Sequence, residues 1–133
     1  MYLLDTNVAS DIQKRLPKPA AWVASVDPET IYLSVISIGE IERGVTKLRK
    51  HDAERAARLA VWLHGLRKDN ADRILPITEE IALLWGQMTA DRSRGSADSL
   101  IAATARAHNL IMVTRNAVDF DEFGVAVLNP WTS

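Results

Sequence analysis

Short apolar runs alternate along this chain with longer stretches whose apolar residues recur at helical spacing, the pattern of β-α units. Tyr2-Leu3-Leu4, Ile31-Tyr32-Leu33-Ser34, Ile74-Leu75, Leu110 to Val113 and Val125 to Leu128 read as successive strands. Thr6 or Asn7 is placed to cap the helix after the first strand. Pro17 and Pro19 break that helix, and Ala20 to Val26 reads as a short second one. Ile38, Ile41, Val45 and Leu48 mark a helix from Ser37 to Leu48. Asp52 is placed to cap another, which carries Leu59, Trp62, Leu63 and Leu66. Thr78 starts a further helix with the stripe Ile81, Leu84, Trp85, Met88, and Glu79 and Glu80 in its first turn suit the macrodipole. Gly95 is expected to end it, and Ser96 to cap the next, with Asp98 in its first turn. The expectation is an α/β domain with a parallel sheet. No repeat, linker or low-complexity tract divides the 133 residues, so they read as one domain.

Composition narrows the chemistry. Apolar residues make up 47% and charged residues 25%, ordinary for a soluble globular protein. There is no cysteine, which excludes disulfides, zinc thiolates and thiol catalysis and is compatible with a reducing cytoplasm, the compartment expected here. No signal peptide is expected, and no charge-free run is long enough to span a bilayer, so no membrane partner is expected. The net charge of −1 decides nothing, because an acidic site masks a local basic patch.

The chemistry lies where apolar runs stop. Asp5 follows Leu3-Leu4, Asp98 opens the stretch Ser99 to Ala105, and Thr114-Arg115-Asn116 with Asp119 follows Leu110 to Val113. C-terminal ends of parallel strands share one sheet edge, where α/β domains bind ligands. Carboxylates crowded there repel one another unless a divalent cation sits among them. Each acid alone has a plainer reading as a cap or a dipole partner. Together at one edge they point to metal-assisted phosphodiester chemistry. Glu40 and Glu42 flank Ile41 and point about 200° apart on a helix. One of them at most faces a given crevice, and periodicity does not choose between them.

Four motifs in order carry a resemblance. Leu3-Leu4-Asp5-Thr6-Asn7-Val8, Leu33 to Ile41, Ala97 to Ala105, and Val113 to Asn116 with Asp119-Phe120 and the closing Asn129-Pro130-Trp131 resemble PIN-domain ribonucleases of the VapC toxin type, especially the FitB-like branch. The resemblance runs from the first residues to the last few. It implies a five-stranded parallel sheet flanked by helices and an endoribonuclease dependent on Mg²⁺ or Mn²⁺. It also implies a homodimer and a cognate antitoxin through which operator DNA is bound. Asp5 and Asp98 match the principal metal-binding aspartates, and Glu40 the acidic position on the third helix. Asp119 matches the fourth acid in some members; others carry it where this chain has Asn116. Thr6, Asn7, Thr114 and Asn116 fall on the substrate side of the same edge.

Arg92, Arg94 and Arg115 flank the acidic motifs and are the expected phosphate contacts, whereas Arg43, Lys47 and Lys50 read as a solvated helix face. His51, His64 and His108 lack metal-ligand spacing. Trp62 and Trp85 read as core, as do Trp22 and Trp131, which could instead serve a partner surface. The competing reading is a decayed PIN domain that binds antitoxin or RNA without cleaving, suggested by Asn116. A receiver domain needs an acidic pair after the first strand and a lysine after the last; a haloacid dehalogenase-type phosphotransferase needs Asp at position 7. This chain has neither.

Overall fold

The computed structural model describes residues 1–91 and 96–132, with the side chain of Ser96 left out. In chain order the elements are β1 (Tyr2–Leu4), α1 (Thr6–Gln13), α2 (Pro17–Ala24), a 3₁₀ turn (Pro28–Thr30), β2 (Ile31–Ser34), α3 (Val35–Leu48) and α4 (Ala53–Asp69). A second 3₁₀ turn (Ala71–Arg73), β3 (Ile74–Leu75), α5 (Glu79–Thr89), α6 (Ser96–Ala107), β4 (Ile111–Val113), α7 (Ala117–Asp121) and β5 (Val127–Leu128) follow.

The strands form one five-stranded sheet in the order β3-β2-β1-β4-β5, every pair parallel. Alternation along the strands sends neighbouring side chains to opposite faces. Leu3 and Met112 pack with Ile101, Ala102, Ala105, Phe120 and Phe123 on one face. Leu4 and Val113 pack with Val8, Ala9, Trp22 and Leu33 on the other. Both faces are therefore covered, as an all-parallel sheet requires. A third cluster, Ile41, Val45, Ala56 and Leu63, joins α3 to α4. Trp22 is buried, whereas Trp62, Trp85 and Trp131 are half-buried.

Helix ends explain where the boundaries depart from the sequence pattern. Asp5, not Thr6 or Asn7, occupies the cap position of α1, and its side chain makes no capping bond. Pro17 opens α2 instead of preceding it, because a proline in the first turn has no N–H to leave unpaired. The Ser34 hydroxyl accepts the Ile36 N–H at 3.0 Å, so α3 begins at Val35, ahead of Ser37. Asp52 and Thr78 cap as expected, accepting from the N–H groups of Arg55 at 3.1 Å and Ile81 at 3.2 Å. Helix α5 ends at Thr89, short of Gly95, which lies outside the described residues, as does the capping side chain of Ser96. The five-residue α7 was not foreseen; it is too short to show periodicity.

Two helices end in Schellman motifs with a non-glycine residue in the left-handed region. After α6, Asn109 has φ 55°, and Leu110 N–H donates to Ala105 O at 2.8 Å. That bond holds Leu110 to the helix, and β4 starts one residue later. After α1, Arg15 has φ 58°, with Leu16 N–H donating to Asp11 O at 3.1 Å and Arg15 N–H to Ile12 O at 3.0 Å. Glycine takes this conformation without the Cβ penalty. Arg15→Gly should therefore stabilise the fold by about 0.5–1 kcal/mol in urea denaturation.

Candidate functional site

Strand order reverses beside β1: the chain runs outward through β2 and β3, then returns to place β4 on the other side of β1. The crevice at such a switch point is the usual ligand site of an open α/β sheet. Asp5 follows β1 and Thr114 follows β4, so both stand at its mouth. The Asp5 N–H donates to Val113 O at 2.9 Å, continuing the ladder one rung past β1. The turn that starts α1 therefore leaves the Asp5 carboxylate inside the sheet edge, where it is 2% exposed.

Thr114 Oγ1 donates to Asp5 Oδ2 at 2.9 Å and accepts the Asn116 N–H at 3.1 Å. Burial is the largest influence on the Asp5 carboxyl and pushes its pKa up from 3.8 to about 6. The Thr114 hydroxyl and the Thr6 backbone N–H pull it down, and the negative charges of Asp98 and Glu40 push it further up. Acids carried by α3 and α6 thus act on Asp5, at the end of β1, across the crevice.

Glu40 is chosen over Glu42 by its contacts. Thr6 Oγ1 donates its one proton to Glu40 Oε1, so Ser37 Oγ, 2.8 Å from Thr6 Oγ1, is the donor in that second contact. Ser37 is fully buried, Glu40 half-buried and Glu42 exposed. Asp98 is exposed in the first turn of α6. Its neighbour Ser99 is buried and accepts from Trp85 Nε1 at 2.8 Å, which ties this end of α6 to α5.

The remaining sequence-level candidates are dispersed. Asp119 lies exposed in α7 and does not figure among the charges that shift Asp5. Asn116 occupies the cap position of α7 without a side-chain capping bond. Asn7 is exposed and, with Thr6 and Glu40, lines a groove of about 420 Å³ that runs on past Lys14, Arg55 and Trp62. Arg115 Nε stands 3.3 Å from Asp11 Oδ2, and its guanidinium lies over the Trp131 ring, 5.6 Å from the centroid. Arg92 and Arg94 lie outside the described residues. Arg43, Lys47 and Lys50 are exposed, as are the three histidines.

Asp11 and Ser37 escaped the sequence reading. Asp11 had a signal: it falls three residues after Val8, on the face α1 buries, where a carboxylate needs a partner. Ser37 had none, since a small hydroxyl on a helix suits either surface or core.

Among the described residues no group of three or more His, Asp or Glu side chains stands ready to hold a metal ion. The donor set nonetheless fits a hard dication. Mg²⁺ keeps several of its waters and binds through one or two carboxylates. A buried carboxylate whose charged form is disfavoured by two neighbouring acids gains from a nearby positive charge.

A family model described as PIN domain matches residues 2–125. The chain is 35% identical to Toxin FitB of Neisseria gonorrhoeae, over 98% of this chain and 99% of that protein. It is 31% identical to VapC ribonuclease Y4jK of Sinorhizobium fredii, over 98% of each. Its fold superposes on the crystal structure of FitAcB from Neisseria gonorrhoeae with a TM-score of 0.90 at 35% identity, covering 100% of both chains. Against a structure of FitAB bound to an IR36 DNA fragment the TM-score is 0.77 at 34% identity, covering 98% of this chain and 96% of that one.

Because Asp5 holds its proton more tightly in the folded chain, stability falls as pH rises from about 4 to about 6 and stays lowered above that. In EDTA, Asp5→Asn, which cannot ionise, should be more stable than the parent at pH 7, by on the order of 3 kcal/mol. Urea denaturation across pH checks this, and the advantage should vanish near pH 4.

Proposed function

The chain belongs to the PIN-domain family, and from that premise we propose that it is the toxin of a toxin–antitoxin pair. In this reading it is an endoribonuclease that hydrolyses RNA with Mg²⁺ or Mn²⁺ in the cytoplasm, silenced by a cognate antitoxin. The observation that carries the reading is the buried Asp5 carboxylate at the sheet's switch point, its pKa raised further by Asp98 and Glu40. The names of the relatives, a toxin and a VapC ribonuclease, support the activity. The structural relative bound to DNA supports an antitoxin partner through which operator DNA is held. Among the described residues no helix is long and apolar enough to cross a membrane. A homodimer is part of the same proposal.

Asp5 and Asp98 would hold the cation. When bound, it supplies a Lewis acid for the phosphoryl oxygens and lowers the pKa of a coordinated water. The chain's own residues set the geometry around it. Thr114 engages Oδ2 of Asp5 and so orients the carboxylate that would face the cation. Thr6 and Ser37 fix Glu40 through Oε1, leaving Oε2 to accept a proton from the attacking water. Asp119 and Asn116 border the cleft beyond Thr114; Asp119 would be the fourth acid, with Asn116 and Asn7, beside Thr6, on the substrate side. Arg92 and Arg94 are assigned to the RNA phosphates. With water as nucleophile the ribose 2′-hydroxyl takes no part, and the products carry 5′-phosphate and 3′-hydroxyl ends.

Asp5→Asn and Asp98→Asn should each abolish Mg²⁺-dependent cleavage of RNA by the purified protein, and Glu40→Gln should slow it about 10²-fold. Full activity in both aspartate variants would refute the assignment. Millimolar Mg²⁺ should raise the melting temperature of the parent, because a ligand bound only by the native state stabilises it, and should leave Asp5→Asn unmoved.

A further inference from the structure

We propose that Arg115 is a pre-oriented clamp for one phosphate of the RNA strand, with Asp11 and Trp131 as its positioning residues. The inference rests on the nuclease reading and deepens it. Its starting point is Asp11, a carboxylate only 4% exposed in the middle of α1. Asp11 Oδ2 makes no hydrogen bond with any described residue, and its charged neighbour is Arg115, with Nε at 3.3 Å. A buried acid paired with an arginine that is 46% exposed is a weak stabilising device. It is an effective way to aim a guanidinium.

Arginine carries five donors in a planar fork. Here Nε faces Asp11, and one face of the fork lies over the Trp131 ring. The terminal Nη1 and Nη2 groups donate to no described residue, so the edge that pairs with two phosphate oxygens remains open. Trp131 is itself held: its N–H donates to Asn129 Oδ1 at 2.9 Å, and its carbonyl accepts from Lys18 Nζ at 2.9 Å. The Arg115 carbonyl accepts from Asn129 Nδ2 at 3.4 Å, which ties its backbone to the same segment.

Position completes the argument. Arg115 directly follows Thr114, whose hydroxyl holds Asp5, so a phosphate on the clamp lies one residue's reach from the acids. A cleft of about 320 Å³ opens there, lined by Arg115, Asn116, Asp119 and Asn129.

The test is binding of labelled single-stranded RNA to the full chain in EDTA, as a function of salt, with Mg²⁺-dependent cleavage followed in parallel. Arg115→Ala should weaken binding about tenfold and reduce the salt slope by about 0.7. Arg106→Ala, a cation in the last turn of α6, at the end opposite Asp98, bonded to the Phe123 carbonyl, should change neither. Asp11→Asn is the decisive variant. It makes the protein less negative, so simple electrostatics predicts tighter binding. Positioning predicts weaker binding, about threefold, with the salt slope nearly kept because Arg115 retains its charge. Arg115→Lys, which keeps charge without the fork, should also bind more weakly. Melting temperatures identify any variant that fails to fold, and Trp131→Ala, which removes the ring under the guanidinium, should weaken binding as Asp11→Asn does. Unchanged binding in Arg115→Ala, or tighter binding in Asp11→Asn, overturns the clamp while parent cleavage leaves the nuclease reading standing. A parent that neither binds nor cleaves RNA overturns both.

Discussion

Everything at the acidic edge depends on keeping one carboxylate out of water and within the field of two others. Asp5 is enclosed by the ends of β1 and β4, and the Thr114 hydroxyl is the bond that makes this tolerable. Burial and like charge together hold the group near pH 6, an unfavourable state for a structural acid and a useful one for an acid awaiting a cation. The strain is local. Leu3, Leu4, Met112 and Val113, the strand residues next to it, pack on both faces of the sheet and fix the backbone from which it projects.

The neighbouring acids are delivered by different means. Glu40 rides on α3, whose start is set by the Ser34 cap, and the Ser37–Thr6 hydroxyl pair joins that helix to the first turn of α1. Asp98 rides on α6, anchored by the contact from Trp85 to Ser99. Caps, hydroxyls and a tryptophan N–H thus set where the two helices carry their acids.

Much of this was legible in the sequence, and the failures have physical causes. The strands at Tyr2–Leu4, Ile31–Ser34 and Ile74–Leu75 stood where apolar runs placed them, and the caps at Asp52 and Thr78 formed. The strand start near Leu110 shifted because chain-reversal geometry, invisible to periodicity, claims that residue: Leu110 belongs to the helix terminus. Thr6 and Asn7 were mistaken for caps because sequence rules count a capping residue by type. They do not register that Asp5 takes the cap position while turning its side chain elsewhere. Glu40 and Asp98 both act on Asp5, whereas Asp119 lies on a helix too short for periodicity to show. The Asp11–Arg115 pairing spans most of the chain, and no local pattern encodes a contact of that separation.

The two ends of the polypeptide lie at opposite rims of the sheet. The Met1 carbonyl accepts from Ile111 N–H at the start of β4, while residues 129–132 fold back beside Arg115 at the acidic rim. A purification tag or fluorescent protein joined ahead of Met1 therefore hangs clear of the acidic crevice. The same fusion at the other end stands in its doorway.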